Sequence, residues 1–242
     1  MPYDAAIIGG TGIAERLAAL GGDSLNVPTS FGLLRSKVFE LRGKKVVAVS
    51  RHEAGHKLAP HQVQYRAIAT GLASIGVRYC ISTAAVGCLV EEWHPGSLVL
   101  CTDFIDLSSR NLTLFEQDVR HIDLSTAFDP YLRSELLRAA DRLGMFLIEE
   151  GVYVNSPGPR YETPAEIKMI RKIGGELVGM TVGSEAIAMR EAGVKYASLA
   201  IVSNLAAGMS SAPLSHGDVT RAVNLAGESV VKLVLATVSA LE

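Results

Sequence analysis

The chain has 242 residues, with 23 Lys and Arg against 25 Asp and Glu and a formal charge of −2. Hydrophobic residues make up 48% and charged ones 20%, with a mean hydropathy of +0.26. That balance excludes disorder and leaves ample side chains for a buried core. No basic excess or basic tract marks a nucleic-acid binder.

The start, Met1-Pro2-Tyr3-Asp4 and then the apolar Ala5 to Ile8, lacks the basic residues and long apolar run of a secretory signal. No stretch approaches the roughly 20 apolar residues of a membrane span. Cys80, Cys88 and Cys101 form an odd set without a C-x-x-C pair, which suggests neither disulfides nor a zinc ribbon. The expectation is a cytoplasmic chain with no membrane or nucleic-acid partner.

Continuous apolar runs predict strands at 5–8, 46–50, 79–83, 98–102, 146–153, 177–180 and 197–203, each with the character of a strand buried on both faces. Helices are predicted at 60–75, 130–143, 164–173, 184–192 and about 215–241, with Pro60, Pro130 and Pro164 at first helical positions. Without a repeat or linker, residues 1–242 read as one α/β domain. Its centre would be a mixed, largely parallel twisted sheet flanked by helices.

Polar or glycine-bearing clusters follow these strands: Gly9-Gly10-Thr11-Gly12, Arg51-His52, Ala84-Ala85-Val86-Gly87, Thr181 and Asn204. Ligands of open α/β sheets bind beyond the carboxyl ends of the strands, so the clusters predict one site on one rim. The glycine turn offers backbone N–H groups and the Thr11 hydroxyl to an oxyanion. It lacks the later glycine of a dinucleotide fingerprint (Glu15 stands there) and the Gly-Lys-Ser/Thr of a Walker loop.

His52-Glu53-Ala54-Gly55-His56 matches the zinc pattern H-E-x-x-H, with His61 as a third ligand to consider. That pattern needs a helix to bring both imidazoles to one metal. Here it abuts a strand, contains Gly55 and is soon followed by Pro60. An anion clamp from Arg51 and His52 is the better reading, since a guanidinium presents a planar fork of donors to phosphate. In the stiff loop from Asn155 to Pro164, Tyr161 and Glu162 set an aromatic face beside a carboxylate, suited to a flat heterocycle with an N–H. Asn204 carries both donor and acceptor for two adjacent atoms of a base edge.

Taken in order, Ile7-Ile8-Gly9-Gly10-Thr11-Gly12, Arg51-His52 with His56, Ser82-Thr83-Ala84-Ala85, Gly158-Pro159-Arg160-Tyr161-Glu162-Thr163, Val178-Gly179-Met180-Thr181 and Ser203-Asn204-Leu205-Ala206-Ala207-Gly208 resemble the trimeric purine nucleoside phosphorylase and methylthioadenosine phosphorylase family. In general style the chain is similar to the second branch. The resemblance implies that phosphate attacks the anomeric carbon of a purine nucleoside, releasing base and ribose 1-phosphate, with no metal or organic cofactor. It implies that Thr11, Arg51, His52, Ala84 and Thr181 hold phosphate and that Met180 packs on the ribose. His121, in Val119-Arg120-His121-Ile122, would reach into a neighbouring subunit's site in a homotrimer or dimer of trimers. Catalytic parts fall to Asn204, His52 and Glu162, with Tyr161 and Ala206 against the substrate.

Relatives that cleave 6-aminopurines have serine in place of Glu162 and aspartates in place of Asn204 and Ala206. A keto purine offers N1–H to a carboxylate and O6 to an amide, whereas adenine turns a bare N1 lone pair to it. The expected substrates are therefore inosine and guanosine. His216 matches the histidine of phosphorylases acting on ordinary nucleosides, where methylthio-specific relatives are apolar; methylthioinosine or methylthioadenosine stays the alternative. A zinc hydrolase built on His52 and His56 and a non-catalytic nucleoside binder are the competing classes. Two departures stand out: Glu53 replaces the glycine of Arg-His-Gly, and Val182-Gly183-Ser184-Glu185 replaces Thr-Val-Pro-Glu.

Overall fold

The structure, a computed structural model, describes residues 3–53, 55, 57–210 and 215–242; the side chains of His216 and Asp218 lie outside that description. Among the described residues the strands are β1 (Ala5–Gly9), β2 (Asp23–Thr29), β3 (Gly32–Leu41), β4 (Lys44–Ser50), β5 (Tyr79–Cys88), β6 (Leu98–Asp106), β7 (Ile148–Asn155), β8 (Leu177–Gly179) and β9 (Lys195–Leu205). The helices are α1 (Ala14–Ala18), α2 (Tyr65–Ser74), α3 (Pro130–Arg142), α4 (Pro164–Lys172), α5 (Val182–Glu191) and α6 (His216–Ala240).

All the strands join one sheet in the order β2-β3-β4-β1-β5-β8-β7-β6-β9, and β9 also pairs with β5. That last pairing closes β5, β8, β7, β6 and β9 into a ring. β1 runs parallel to β4 and β5, β5 to β9, and β7 to β6 and β8; the other pairings are antiparallel. This is the mixed α/β sheet that the sequence predicts. The apolar runs are continuous because both faces are covered. Ala6, Ile8, Val47 and Val49 pack with Ile68 and Leu72 of α2 on one side. The alternate residues Ala5, Ile7, Val46 and Ala48 pack with Leu132 of α3 and Leu233 of α6 on the other.

Four expectations need correction. The hairpin β2–β3 and the short α1 are absent from the sequence reading; polar alternation and Pro28 made 23–29 look like loop. Helix α2 starts at Tyr65 rather than Pro60, because Ala59 to Gln62 close a turn of their own: Gln62 N–H donates to Ala59 O at 2.8 Å. β5 and β9 run on through Ala84–Gly87 and Asn204, so those clusters lie within strands. Finally, α6 is long and apolar enough to cross a membrane by length and composition, contrary to the expectation that no stretch is. It buries Val223, Val230, Leu233, Val234 and Val238 in one face of the core. The other two proline starts fit: Asp129 and Thr163 cap α3 and α4 ahead of Pro130 and Pro164.

The two faces of α6 give a test. Leu233→Ala should cost about 2–5 kcal/mol of stability, whereas Leu225→Ala, at a position 84% exposed, should stay within about 0.5 kcal/mol. Urea unfolding of the two variants reads the difference; equal losses would deny that α6 is a core helix.

Candidate active site

A cavity of about 390 Å³ opens where the strand ends meet. Thr11 after β1, Arg51 and His52 after β4, Ala84 in β5, Thr181 after β8 and Asn204 in β9 all line it. Loop residues Tyr161 and Glu162, with Met180, Ala206 and Val219, complete its wall. The rim that the strand ends predict is therefore a real cavity, of the size usual for small-molecule sites.

Arg51 sits at the base of this rim, 2% exposed. Its Nε donates to Glu185 Oε1 at 2.6 Å, Nη2 to Glu185 Oε2 at 2.9 Å, and Nη1 to Thr83 O at 2.9 Å. Burial opposes its charge, but the adjacent Glu185 carboxylate outweighs burial and holds the guanidinium above its ordinary pKa. One N–H on each terminal nitrogen is left for a ligand. Glu185 Oε2 also accepts from Tyr196 OH at 2.6 Å, and the Tyr196 hydroxyl oxygen lies 2.6 Å from Ser82 Oγ. Burial, and then the Glu185 charge, push the Tyr196 phenol well up, so it stays a neutral donor. Gly10 is required here: a Cβ would meet Thr83 O at 2.7 Å and crowd Arg51 Nη1.

The remaining anion-facing groups are placed by backbone. His52 Nδ1 lies 2.7 Å from Leu58 O; a carbonyl only accepts, so Nδ1 carries the proton. Thr181 precedes α5 without using its hydroxyl as a cap. Tyr153 OH takes the N–H of Thr181 at 3.2 Å and of Val182 at 3.4 Å instead. The Thr181 side chain, not committed as a cap, lines the cavity just ahead of α5. Glu53 does not crowd the clamp. It adopts φ +57°, the left-handed region that glycine occupies most easily, and its carboxylate accepts from Arg35 Nη1 at 3.0 Å.

Two side chains offer hydrogen-bonding edges to a flat ligand. Asn204 Nδ2 donates to Leu205 O at 2.8 Å, and Oδ1 accepts from Ser203 Oγ at 2.7 Å. These contacts fix which way the amide points and leave one N–H to offer. Glu162 Oε1 accepts from Ser156 Oγ at 2.6 Å, leaving Oε2 as an acceptor. The loop that carries Glu162 is tied at both ends. Arg160 forms a paired ion bridge to Glu166, at 2.8 and 2.7 Å. That bridge, with the Thr163 N–H, pulls the Glu166 carboxyl down to about 2. Arg110 donates to Pro157 O at 2.5 Å, Met180 O at 2.8 Å and Ser184 Oγ at 2.9 Å, so it joins the loop to the turn before α5.

The phosphorylase superfamily model matches residues 4–239. The chain belongs to that superfamily. It is 39% identical over 234 residues to the probable 6-oxopurine nucleoside phosphorylase of Moorella thermoacetica, covering 95% of this chain and 90% of that one. The 6-oxopurine nucleoside phosphorylase of Pyrococcus furiosus is 37% identical, with 96% and 91% covered. The probable S-methyl-5'-thioinosine phosphorylase of Methanopyrus kandleri is 39% identical, with 85% and 80% covered. A methylthioadenosine phosphorylase from Schistosoma mansoni, solved with adenine, superposes with a TM-score of 0.93 at 26% identity, covering 98% and 91%.

Some sequence-predicted positions of this phosphorylase-superfamily chain are not at the cavity. His121 is exposed, on the segment between β6 and α3, and does not line it. The His216 side chain and His56 lie outside the described residues. Of the zinc pattern, 51–53 form a turn, and the next described helix after β4 is α2. Among the described residues no group of three metal-ligating side chains comes together. Sequence reasoning missed the parts played by Glu185, Tyr153, Arg110 and Ser184. Glu185 had a signal, because a carboxylate in the first turn of a helix after a strand faces the same rim. Ser184 explains one departure from the family run: its hydroxyl receives Arg110 and also Asn155 Nδ2 at 3.2 Å.

Glu185→Ala should destabilise the fold by about 3–5 kcal/mol, because it strands a buried guanidinium; a thermal or urea melt reads this. Glu53→Gly should leave stability within about 1 kcal/mol, trading an exposed ion pair for a relaxed backbone. The same variant should leave the KM for phosphate unchanged. A large rise in that KM would show that Glu53 reaches the clamp.

Proposed function

We propose that this chain is a purine nucleoside phosphorylase that cleaves 6-oxopurine nucleosides, inosine and guanosine, with inorganic phosphate. One observation carries the reading: Glu162 and Asn204 present an acceptor and a donor to the same cavity that Thr11, Arg51, His52 and Thr181 line. The names of the relatives in Moorella and Pyrococcus point the same way.

In this reading a phosphate oxygen forms a bond to C1′ as the C1′–N9 bond breaks, and the electron pair leaves with the purine. No covalent nucleophile from the protein is needed. Binding holds phosphate beneath the sugar through Arg51, His52, Thr11 and Thr181. The charge developing on the base is met by the remaining N–H of Asn204 at N7 or O6. Glu162 Oε2 takes N1–H, which an adenine ring lacks. A mismatched buried polar pair costs about 1–3 kcal/mol per group, enough across two groups for discrimination on the order of 10⁴. Met180 and Val219 pack on the sugar side. The chemistry draws on these residues alone, with neither metal nor organic cofactor. His121, exposed on its own chain, completes a neighbour's site in a homotrimer.

The 5′ substituent defines a second reading, S-methyl-5'-thioinosine. It is favoured by the Methanopyrus relative and by Val219, an apolar wall of the cavity. Assays of inosine, guanosine, adenosine and the two methylthio nucleosides, with and without phosphate, separate the readings. Phosphate-dependent release of hypoxanthine from inosine is expected, and its absence would refute the proposal. Glu162→Ser combined with Asn204→Asp should move preference toward adenosine by at least about tenfold; unchanged preference for inosine would overturn the base-edge argument.

A further inference from the structure

We infer that Ser156 is the positioning residue that sets the specificity-determining carboxylate of Glu162, an inference that rests on the 6-oxopurine reading above. Ser156 is 4% exposed and stands just beyond β7, where its N–H donates to Gly179 O at 2.7 Å. That bond ties the end of β7 to the end of β8, so the sheet itself fixes where the hydroxyl lies. Its Oγ is 2.6 Å from Glu162 Oε1. A carboxylate has no proton to give, so the hydroxyl donates, and a hydrogen bond to an ionised acceptor is among the stronger kinds.

Glu162 needs such an anchor because it stands between two cavities. A second one, of about 310 Å³, lies behind the loop and is lined by Ser156, Glu162, Arg160 and Glu166 among others. Arg160 is there a competing attraction for any nearby carboxylate. Glu166 holds it through both oxygens, and Ser156 holds Glu162 by one. With Oε1 committed to Ser156, Oε2 is left with no partner among the described residues and is the oxygen available to the ligand. The side chain is thus presented as a fixed acceptor before any base arrives. The bond favours this presentation over the other rotamers of the side chain. Ser156 touches no substrate in this arrangement; it acts wholly through Glu162.

The test is a double-mutant cycle on kcat/KM for inosine. Ser156→Ala in the otherwise unaltered protein should lower kcat/KM about tenfold, and Ser156→Thr, which keeps the hydroxyl, should stay within about threefold. In a Glu162→Ala background, Ser156→Ala should lower it by less than about twofold, or raise it, because no acceptor remains for the hydroxyl to orient. An equal loss in both backgrounds, or no loss in either, would overturn the inference. Should Ser156→Ala fail to fold, Ser156→Cys, with its weak S–H donor, should show the same pattern. The unaltered protein discriminates between failures: if it does not release hypoxanthine from inosine with phosphate, the functional reading falls. If it does and the cycle is additive, only the role of Ser156 falls.

Discussion

The site is organised around a buried ion pair at the cavity wall. Arg51 and Glu185 come from the end of β4 and the first turn of α5, each side chain 1% exposed. Two buried charges are tolerable only when nearly every polar atom is satisfied, and here the neighbours comply. Thr83 O, Tyr196 and Ser82 supply partners, and Gly10 leaves the space. The pair is neutral as a unit. It therefore brings little long-range attraction, and what it offers an anion is two N–H groups held in a fixed direction. Lys57 adds a further cation to the cavity wall.

The nucleobase side follows the same logic with weaker bonds. Ser203 and Leu205 settle which face of the Asn204 amide looks outward, and Ser156 settles the carboxylate. Arg110 then fixes the distance between the two walls by binding the carbonyls of Pro157 and Met180 at once. A site whose dipoles are already oriented reorganises little when charge develops in it. The polarity of the cavity is thus set by contacts behind it.

Much of this was legible in the chain. Continuous apolar runs located the strands that are covered on both faces, and the residues following them located the rim. The proline and threonine starts of α3 and α4 were readable because capping is local chemistry. Glu185 and Tyr153 escaped because their roles depend on which strand ends lie side by side, and strand order is not written in any short window. The hairpin β2–β3 escaped for the opposite reason: half-exposed strands alternate polar residues and resemble loop. In sequence, Glu53 stands beside the clamp as a departure from Arg-His-Gly. Its left-handed backbone turns the carboxylate toward Arg35 instead, and only coordinates could reveal that direction.

The ring made by β5, β8, β7, β6 and β9 has one more consequence. Because β9 returns to β5, β2 is the one strand among the described residues with a single pairing partner, and its outer side is an open border. Open borders invite strands from other molecules to add on. This one is seven residues long and carries Pro28, which has no N–H to give. Pro28 thereby makes that border a poorer template for an incoming strand, a safeguard against fibrous self-association.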